Sequence, residues 1–280
     1  MLISGTGSLD RDGNSMFLKT NLYKDLSDMF VELGFVCIRY DKRGTHESKV
    51  KNLNFGLSDL VNDAATIIKN VKKLDYVDNE KIVICGHSEG AMIATLLTQK
   101  ENLKGIILLG GACMGLKEAS LYQNYLVLEQ VKDMKGILGW YLRKTLKSDK
   151  IEEQVSEPFD IAEKTQKDKF FYKGSILPTK YLREHHKLTD KEYIELLKSY
   201  KGKILAITGK SDVQADYRKL QSIESLENAT IFTPEELNHM LRDIEDKPNI
   251  MNIKKEYKKS FKKEISPKLK RIIKDWVKKL

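Results

Sequence analysis

The stretch "KIVICGHSEGAMIATLL", residues 81–97, decides the fold. Its first part is a short run of apolar and β-branched residues, which predicts a buried strand, and its second part is apolar over the length of a helix. Ser88 lies between the two, with Gly86 and Gly90 on either side. Small residues at these positions permit the sharp strand-to-helix turn that exposes a serine hydroxyl, so the stretch predicts a nucleophilic serine.

Short β-branched runs alternate with longer amphipathic ones along the rest of the chain. This alternation is the signature of parallel strands joined by crossover helices, so we predict an α/β fold with a mainly parallel sheet of about six strands flanked by helices. The predicted strands are residues 1–4, 35–40, 81–86, 105–110, 203–209 and 229–234. The predicted helices are residues 17–33, 57–74, 89–99, 214–226 and 266–280, the last with an apolar face for packing on the sheet.

One long segment, residues 117–200, interrupts the alternation. It contains helical patterns and no convincing strand, so we predict a helical cap inserted between the strands at 105–110 and 203–209. Residues 1–116 and 201–280 then form the core. An insertion of this length is usually functional, often as a lid, and we expect it to cover a site on the sheet.

Composition and charge limit the class of protein that the sequence can encode. The chain has 280 residues, of which 41% are hydrophobic and 32% charged, as in globular proteins. No apolar run could span a bilayer, and the N-terminus does not resemble a secretory signal, so we expect a cytoplasmic protein without membrane insertion. Three cysteines in apolar runs predict buried thiols. The net charge of +9 comes from scattered lysines without interleaved aromatic residues, which indicates a solvated surface and no nucleic-acid partner.

Three motifs carry a family resemblance: "SGTGSLDRDGN" (4–14), "YDKRGTHES" (40–48) and "GHSEG" (86–90). With them the sequence resembles the α/β-hydrolase superfamily, and within it a bacterial group of dienelactone-hydrolase-like carboxylesterases. The C-terminal helix also resembles that of the group, so the resemblance covers nearly the whole chain. It implies an α/β-hydrolase fold whose catalytic residues occur in the chain order serine, acid, histidine.

The resemblance implies positions for the acid and the base. Asp212 follows the predicted strand 203–209, where such hydrolases have their acid, and His239 follows the last predicted strand, where they have their histidine. Both lie in loops at C-terminal strand ends, the edge where open α/β sheets bind ligands. The implied triad is Ser88, Asp212 and His239.

Other acids and histidines remain alternatives. Asp216 is the alternative acid, although its place at the start of a predicted helix also fits a capping residue. His87 is the alternative base, although the backbone of the turn should direct its ring away from the neighbouring hydroxyl. For His46, His185 and His186, which lie in a polar loop and in the insertion, we expect solvated or substrate-facing roles.

An oxyanion hole in such a hydrolase needs two backbone N–H donors. One belongs to the residue after the nucleophile, here Glu89, at the N-terminus of a predicted helix whose dipole favours negative charge. The other is expected from the glycine-containing loop after the first strand, where we favour Thr6 with Gly7 as the alternative.

The resembled group begins with further strands before this loop, whereas the present sequence opens at Met1-Leu2-Ile3. We therefore expect the N-terminal strands of the usual fold to be missing and residues 35–40 to form an exposed edge. Such an edge attracts another chain, so either upstream sequence or a neighbouring subunit in a homodimer is expected to protect it.

The leading functional hypothesis is a serine hydrolase that cleaves small-molecule carboxylic esters through an acyl-enzyme intermediate. This chemistry requires no metal and no organic cofactor. A serine peptidase or an acyl thioesterase would use the same triad, because the motif does not fix the leaving group. An inactive hydrolase fold that serves as a binding protein is the non-enzymatic alternative.

Overall fold

The computed structural model describes residues 1–16 and 18–280. Its strands are β1 (Leu2–Ile3), β2 (Val83–His87), β3 (Gly105–Leu109), β4 (Lys169–Tyr172), β5 (Ser175–Pro178), β6 (Lys203–Ile207) and β7 (Ala229–Phe232). Its α-helices are α1 (Leu22–Glu32), α2 (Leu57–Val71), α3 (Glu89–Leu97), α4 (Leu116–Lys132), α5 (Gly136–Thr145), α6 (Ser148–Lys164), α7 (Thr179–His186), α8 (Asp190–Ser199), α9 (Ile253–Ser260) and α10 (Pro267–Val277). In the described residues, none of these helices combines the length and hydrophobicity that crossing a bilayer requires.

The main sheet is parallel, with the strand order β1-β2-β3-β6-β7. Its central strands β2 and β3 are buried along their whole length. Strands that are covered on both faces read as continuous apolar runs, which explains why "IVICG" and "GIILLG" lack alternation. The predicted α/β-hydrolase architecture, a mainly parallel sheet flanked by helices, is confirmed.

Helices cover both faces of this sheet. Along β3, Ile106 and Leu108 pack with residues of α2 and α3, whereas Ile107 and Leu109 pack with residues of α1 and α10. This division follows from the strand geometry, in which successive side chains point to opposite faces. The apolar face predicted for the C-terminal helix is buried against the sheet through Leu269, Ile273 and Trp276.

One of the six predicted strands, residues 35–40, was wrong, because this segment forms no strand. The segment lies beside β1, but a single backbone hydrogen bond joins them, from Leu2 N to Ile38 O at 2.8 Å. Because β1 has only two residues, a longer strand outside it finds no ladder of partners. Among the described residues, the sheet therefore has five strands with β1 at one edge, and the expected homodimer across this edge stays a prediction.

Two predicted helices differ in extent or type. The helix predicted for residues 17–33 begins at Leu22, and the first residue of that prediction, Phe17, lies outside the described residues. Residues 214–226 were predicted as a helix, but only Tyr217–Ile223 is helical, and it is a 3₁₀ helix. Its start is fixed by the Asp216 side chain, which accepts a hydrogen bond from Arg218 N.

The segment between β3 and β6 contains two strands that the sequence analysis missed. Strands β4 and β5 form an antiparallel hairpin. Lys173 and Gly174 connect them with φ values of 44° and 87°. Two successive residues with positive φ are what a tight type I′ turn requires, so the Lys-Gly pair between two short apolar runs was the available signal.

Helix α3 approaches β1 closely at Gly90. A Cβ atom on Gly90 would lie 2.1 Å from the carbonyl oxygen of Ile3, so no side chain fits at this position. The contact places the first turn of α3 over the end of β1, where residues 4–8 leave the sheet.

We expect the substitution Gly90→Ala to lower the free energy of unfolding by about 2 kcal/mol or more, because the added methyl group forces the helix and the strand apart. The control is Gly174→Ala, which has positive φ but no atom within 4 Å of the added Cβ and should cost only about 1 kcal/mol. Urea denaturation measures both changes. Equal losses in the two variants would contradict the close contact between α3 and β1.

Candidate active site

Ser88 occupies a strained turn between β2 and α3. Its backbone has φ 57° and ψ −123°, a conformation that costs a non-glycine residue about 1–3 kcal/mol and persists only when its surroundings impose it. Here the amide of Ser88 donates to the carbonyl oxygen of Leu109 at 2.8 Å. On its other side, a Cβ on Gly5 would lie 2.9 Å from the Cβ of Ser88, so a glycine is needed there.

Ser88 and His239 line the same cavity, which has a volume of about 320 Å³. Thr6 and Glu89 also line it, whereas Gly7 and Asp212 do not. Helix α4 contributes further lining residues, namely Leu116, Ala119, Ser120 and Gln123. A groove of similar size, about 350 Å³, lies at the β1 edge of the sheet and contains none of the predicted site residues.

Asp212 and His239 are joined by a buried hydrogen bond of 2.8 Å between Asp212 Oδ2 and His239 Nδ1. The other carboxylate oxygen, Asp212 Oδ1, accepts from the backbone amides of Gln214 and Ala215 at 2.7 and 2.9 Å. These three contacts fix the carboxylate of Asp212. Because Nδ1 is engaged, Nε2 is the nitrogen of His239 that remains for proton transfer.

Ser88 and His239 line one cavity, but their side chains are not hydrogen-bonded to each other. In the part of the chain that the structure describes, no hydrogen bond joins Ser88 Oγ to the ring of His239. Catalytic hydrogen bonds in ligand-free sites are often long and shorten when substrate binds. The geometry thus pairs the predicted acid with the predicted base and places the serine on the wall of the same cavity.

His87 also lines the cavity, and both of its ring nitrogens are engaged in hydrogen bonds that link loops of the site. Burial, together with the nearby His239, lowers the pKa of His87 to about 3, so its ring is neutral at pH 7. The ring nitrogen Nε2 lies 2.8 Å from the carbonyl oxygen of His239. A carbonyl oxygen only accepts, so Nε2 of His87 carries the proton. With this proton His87 supports the loop of His239, and the nitrogen is not free to act as the alternative base.

The other ring nitrogen of His87 extends this chain of hydrogen bonds to the loop after β1. Nδ1 of His87 is unprotonated and accepts from the hydroxyl of Tyr23 at 3.0 Å, and that hydroxyl accepts from the amide of Gly5 at 2.7 Å. Burial raises the pKa of Tyr23, which keeps the hydroxyl protonated as a donor. Three loops of the site are therefore connected through buried hydrogen bonds that sequence reasoning did not predict.

The loop of His239 is also held by Arg242, a buried arginine that the sequence analysis missed. Its amide donates to the side chain of Asn238 at 3.0 Å, and its guanidinium donates to Asp25 of α1 at 2.7 Å. Burial lowers the pKa of Arg242, opposed by the charge of Asp25. The arginine directly after "LNHML" was the available sequence signal for this anchor.

The alternative acid and histidines lie in other environments. Asp216 forms an ion pair with Arg218 at 2.8 Å and is not among the residues that line the cavity. His46 is exposed. The solvated or substrate-facing role expected for His185 was wrong, because this residue is 1% exposed and lies against Glu89.

Thr6 and Glu89, the residues predicted to supply the oxyanion donors, both line the cavity. Glu89 is the first residue of α3, so its N–H has no partner within the helix. Thr6 lies in the loop after β1 and is exposed toward the cavity. Within residues 1–16 and 18–280, no three His, Cys, Asp or Glu side chains are grouped so that they could hold a metal ion.

Comparison with known proteins identifies the family to which the chain belongs. The family model "Serine aminopeptidase, S33" matches residues 17–242. Esterase EstD of Thermotoga maritima is 23% identical over 248 residues, which cover 86% of this chain and 54% of that protein. The chain thus spans about half the length of this relative.

Solved structures share the fold. Est1E of Butyrivibrio proteoclasticus, solved with ferulic acid, has a TM-score of 0.55 at 17% identity, covering 94% of this chain and 88% of its own. The monoacylglycerol lipase of Paleococcus ferrophilus has a TM-score of 0.57 at 14% identity, covering 99% and 92%. Because the family model covers most of the sequence, the chain belongs to the serine aminopeptidase S33 (Hydrolase_4) family of the α/β-hydrolase superfamily.

Proposed function

We propose that this chain is a serine hydrolase that cleaves carboxylic esters of small molecules through an acyl-enzyme intermediate. The observation that supports it most strongly is the buried Asp212–His239 pair, whose histidine shares a cavity with Ser88 in its strained turn. A serine hydroxyl becomes a good nucleophile only when a base accepts its proton and the backbone presents its oxygen to the substrate. The Asp212–His239 pair and the strained turn of Ser88 are suited to meet these two conditions.

In the proposed reaction, Ser88 Oγ attacks the ester carbonyl while its proton passes to Nε2 of His239. The protonated histidine then donates this proton to the leaving alcohol, which leaves the acyl group on Ser88. A water molecule, activated by the same nitrogen, hydrolyses the acyl-enzyme and restores the serine. Asp212 keeps the proton on Nδ1 and stabilises the imidazolium that forms transiently.

The negative charge that develops on the carbonyl oxygen needs fixed donors. We assign this role to the backbone N–H groups of Glu89 and Thr6, with Gly7 as the weaker alternative because it does not line the cavity. The N-terminus of α3 adds its positive dipole end at the same place.

The chemistry of the cavity favours esters over the aminopeptidase substrates that the family description names. An aminopeptidase needs a free acidic group or carbonyl cluster for the charged α-amino group of its substrate. Glu89 is the only carboxylate among the described lining residues, and its two oxygens are already bound by Lys42 and Tyr181. The names of EstD, Est1E and the monoacylglycerol lipase point in the same direction.

We also propose that residues 117–200 are a cap that shapes the acyl site. Helix α4 supports this role, because its first turns supply both apolar and polar residues to the cavity wall. Leu116 and Ala119 face the same space as Met92, Met114 and Met240 of the core. A cavity of about 320 Å³ is at the small end of ligand sites, which favours a short acyl group.

Replacing the proposed nucleophile gives the first test. Ser88→Ala should lower kcat for a nitrophenyl ester by about 10⁴-fold or more, because no acyl-enzyme can form. The control is Ser199→Ala, an exposed serine at the end of α8 whose hydroxyl donates to the carbonyl oxygen of Leu196 and accepts from the side-chain amide of Gln99. Near-normal turnover by a folded Ser88→Ala variant would contradict the proposal.

The two candidate acids can be separated by matched amide substitutions. Asp212→Asn should lower kcat by about 10³–10⁴-fold, because an amide cannot hold His239 in the required tautomer. Asp216→Asn removes only the partner of Arg218 and should change kcat by less than about tenfold. The reverse order of effects in steady-state kinetics would identify Asp216 as the acid.

The size of the cavity predicts a dependence on acyl length. Across nitrophenyl esters from acetate to laurate, kcat/KM should be highest for short acyl groups and fall for long ones, since a long chain finds no enclosed space. The same assay with an acyl-CoA and an aminoacyl nitroanilide measures thioesterase and aminopeptidase activity. Preferred turnover of the aminoacyl substrate would replace the ester proposal by the peptidase alternative.

A further inference from the structure

A buried ion pair contacts both segments that supply the proposed oxyanion donors. The ammonium group of Lys42 donates to Glu89 Oε2 at 2.6 Å, and the two side chains are 7% and 3% exposed. Burying two charges is costly unless they are paired and their remaining hydrogen-bonding capacity is used. The proposed mechanism does not use either side chain, so the pair needs another explanation.

Lys42 connects the two segments that supply the oxyanion donors. Besides Glu89, its ammonium donates to the carbonyl oxygen of Gly5 at 2.7 Å. The peptide group that contains this carbonyl also contains the N–H of Thr6. The ammonium of Lys42 therefore fixes the orientation of the Thr6 amide. It also holds the side chain of Glu89, whose backbone amide is the other proposed donor.

The second carboxylate oxygen of Glu89 is bound from the insertion. The hydroxyl of Tyr181, on α7, donates a short hydrogen bond to Glu89 Oε1. The ring of His185, one turn further along α7, packs edge-on against Tyr181 with centroids 4.4 Å apart, and its Nε2 lies 3.5 Å from the same oxygen. The first residue of α3 and helix α7 thus meet at one carboxylate.

The charges in this network matter for the proposed reaction. Burial acts to raise the pKa of Glu89, but the charge of Lys42 and the contacts with His185 outweigh it and lower the pKa, so the carboxylate is ionised. An unneutralised carboxylate next to the Glu89 N–H would oppose the negative charge of an oxyanion. Lys42 cancels that effect while it aligns the donors.

We propose that Lys42 and Glu89 are positioning residues for the oxyanion hole, and that the Tyr181 hydroxyl couples their order to the docking of α7. The catalytic part of this inference rests on the proposed function. When α7 is docked, Tyr181 holds Glu89, Glu89 holds Lys42, and Lys42 holds the peptide group between Gly5 and Thr6. When Tyr181 cannot donate, the loop after β1 loses part of this support and the donors are less well aligned.

Helix α7 also docks through contacts outside this network, which provide a matched control. Lys180, adjacent to Tyr181, forms an ion pair with Asp59 of α2 at 2.6 Å. The Lys180→Met substitution weakens the same helix–core contact without touching Glu89 or Lys42. A general loosening of α7 is thereby distinguished from the specific loss of the Tyr181 hydroxyl.

The kinetic test compares Tyr181→Phe with Lys180→Met on a short nitrophenyl ester. Tyr181→Phe should lower kcat about tenfold with KM within about twofold, because misaligned oxyanion donors affect the transition state more than substrate binding. Lys180→Met should leave both constants within about twofold of the wild type. Unchanged kcat in Tyr181→Phe, or equal losses in both variants, would overturn the proposed coupling.

Lys42 is tested by a single and a double substitution. Lys42→Met leaves a buried carboxylate without a partner and is expected to be unstable. Adding Glu89→Gln removes that charge and should restore folding, yet kcat should stay about 10²-fold below wild type because the carbonyl of Gly5 is no longer held. If the stable double variant regained wild-type kcat, Lys42 would have only a structural role and the proposal would fail.

Amide hydrogen exchange tests the coupling without any reference to ester hydrolysis. Exchange in a peptide covering residues 2–9 should be at least about fivefold faster in Tyr181→Phe than in wild type, and unchanged in Lys180→Met. A wild-type chain that hydrolyses no ester but shows this difference would refute the proposed function and support the coupling. Identical exchange in all three proteins would refute the coupling even in an active esterase.

Discussion

The site depends on the positive-φ backbone conformation of Ser88, which lies between a buried strand and a buried helix. That conformation is unfavourable for a serine by itself, and it exists because β2 and α3 are fixed on both sides by the core. The close contact of Gly90 with Ile3 then brings the end of β1 to the same place. The strained turn thus holds the proposed nucleophile close to the start of α3 and to the loop after β1.

The parallel sheet gathers the remaining groups at its carboxyl edge, and buried hydrogen bonds fix their relative positions. The chain from Gly5 through Tyr23 and His87 to the carbonyl of His239 connects three loops that are far apart in sequence. Lys42 and Glu89 form a second connection between the loop after β1 and the start of α3. Preorganised donors of this kind stabilise developing charge without reorganising during the reaction, which fits the proposed ester hydrolysis.

The sequence predicted what local pattern determines. Parallel strands inside a sheet are short apolar runs, so all five strands of the main sheet and the turn at Ser88 were found, and chain order pointed to Asp212 and His239. Residues 35–40 have the composition of a strand but lack a partner of sufficient length, which no local pattern reveals. Tyr23, Lys42 and Tyr181 were missed for the same reason, since their roles depend on contacts with residues distant in the sequence.

The central claim is that Ser88 forms a covalent acyl-enzyme. The most direct measurement is mass spectrometry of the protein mixed with p-nitrophenyl acetate, quenched in acid within the first turnover and digested. The account predicts an added acetyl group on the peptide that contains Ser88 and its disappearance as turnover continues. Release of nitrophenol without any acetylated intermediate, or acetylation confined to another residue, would contradict it.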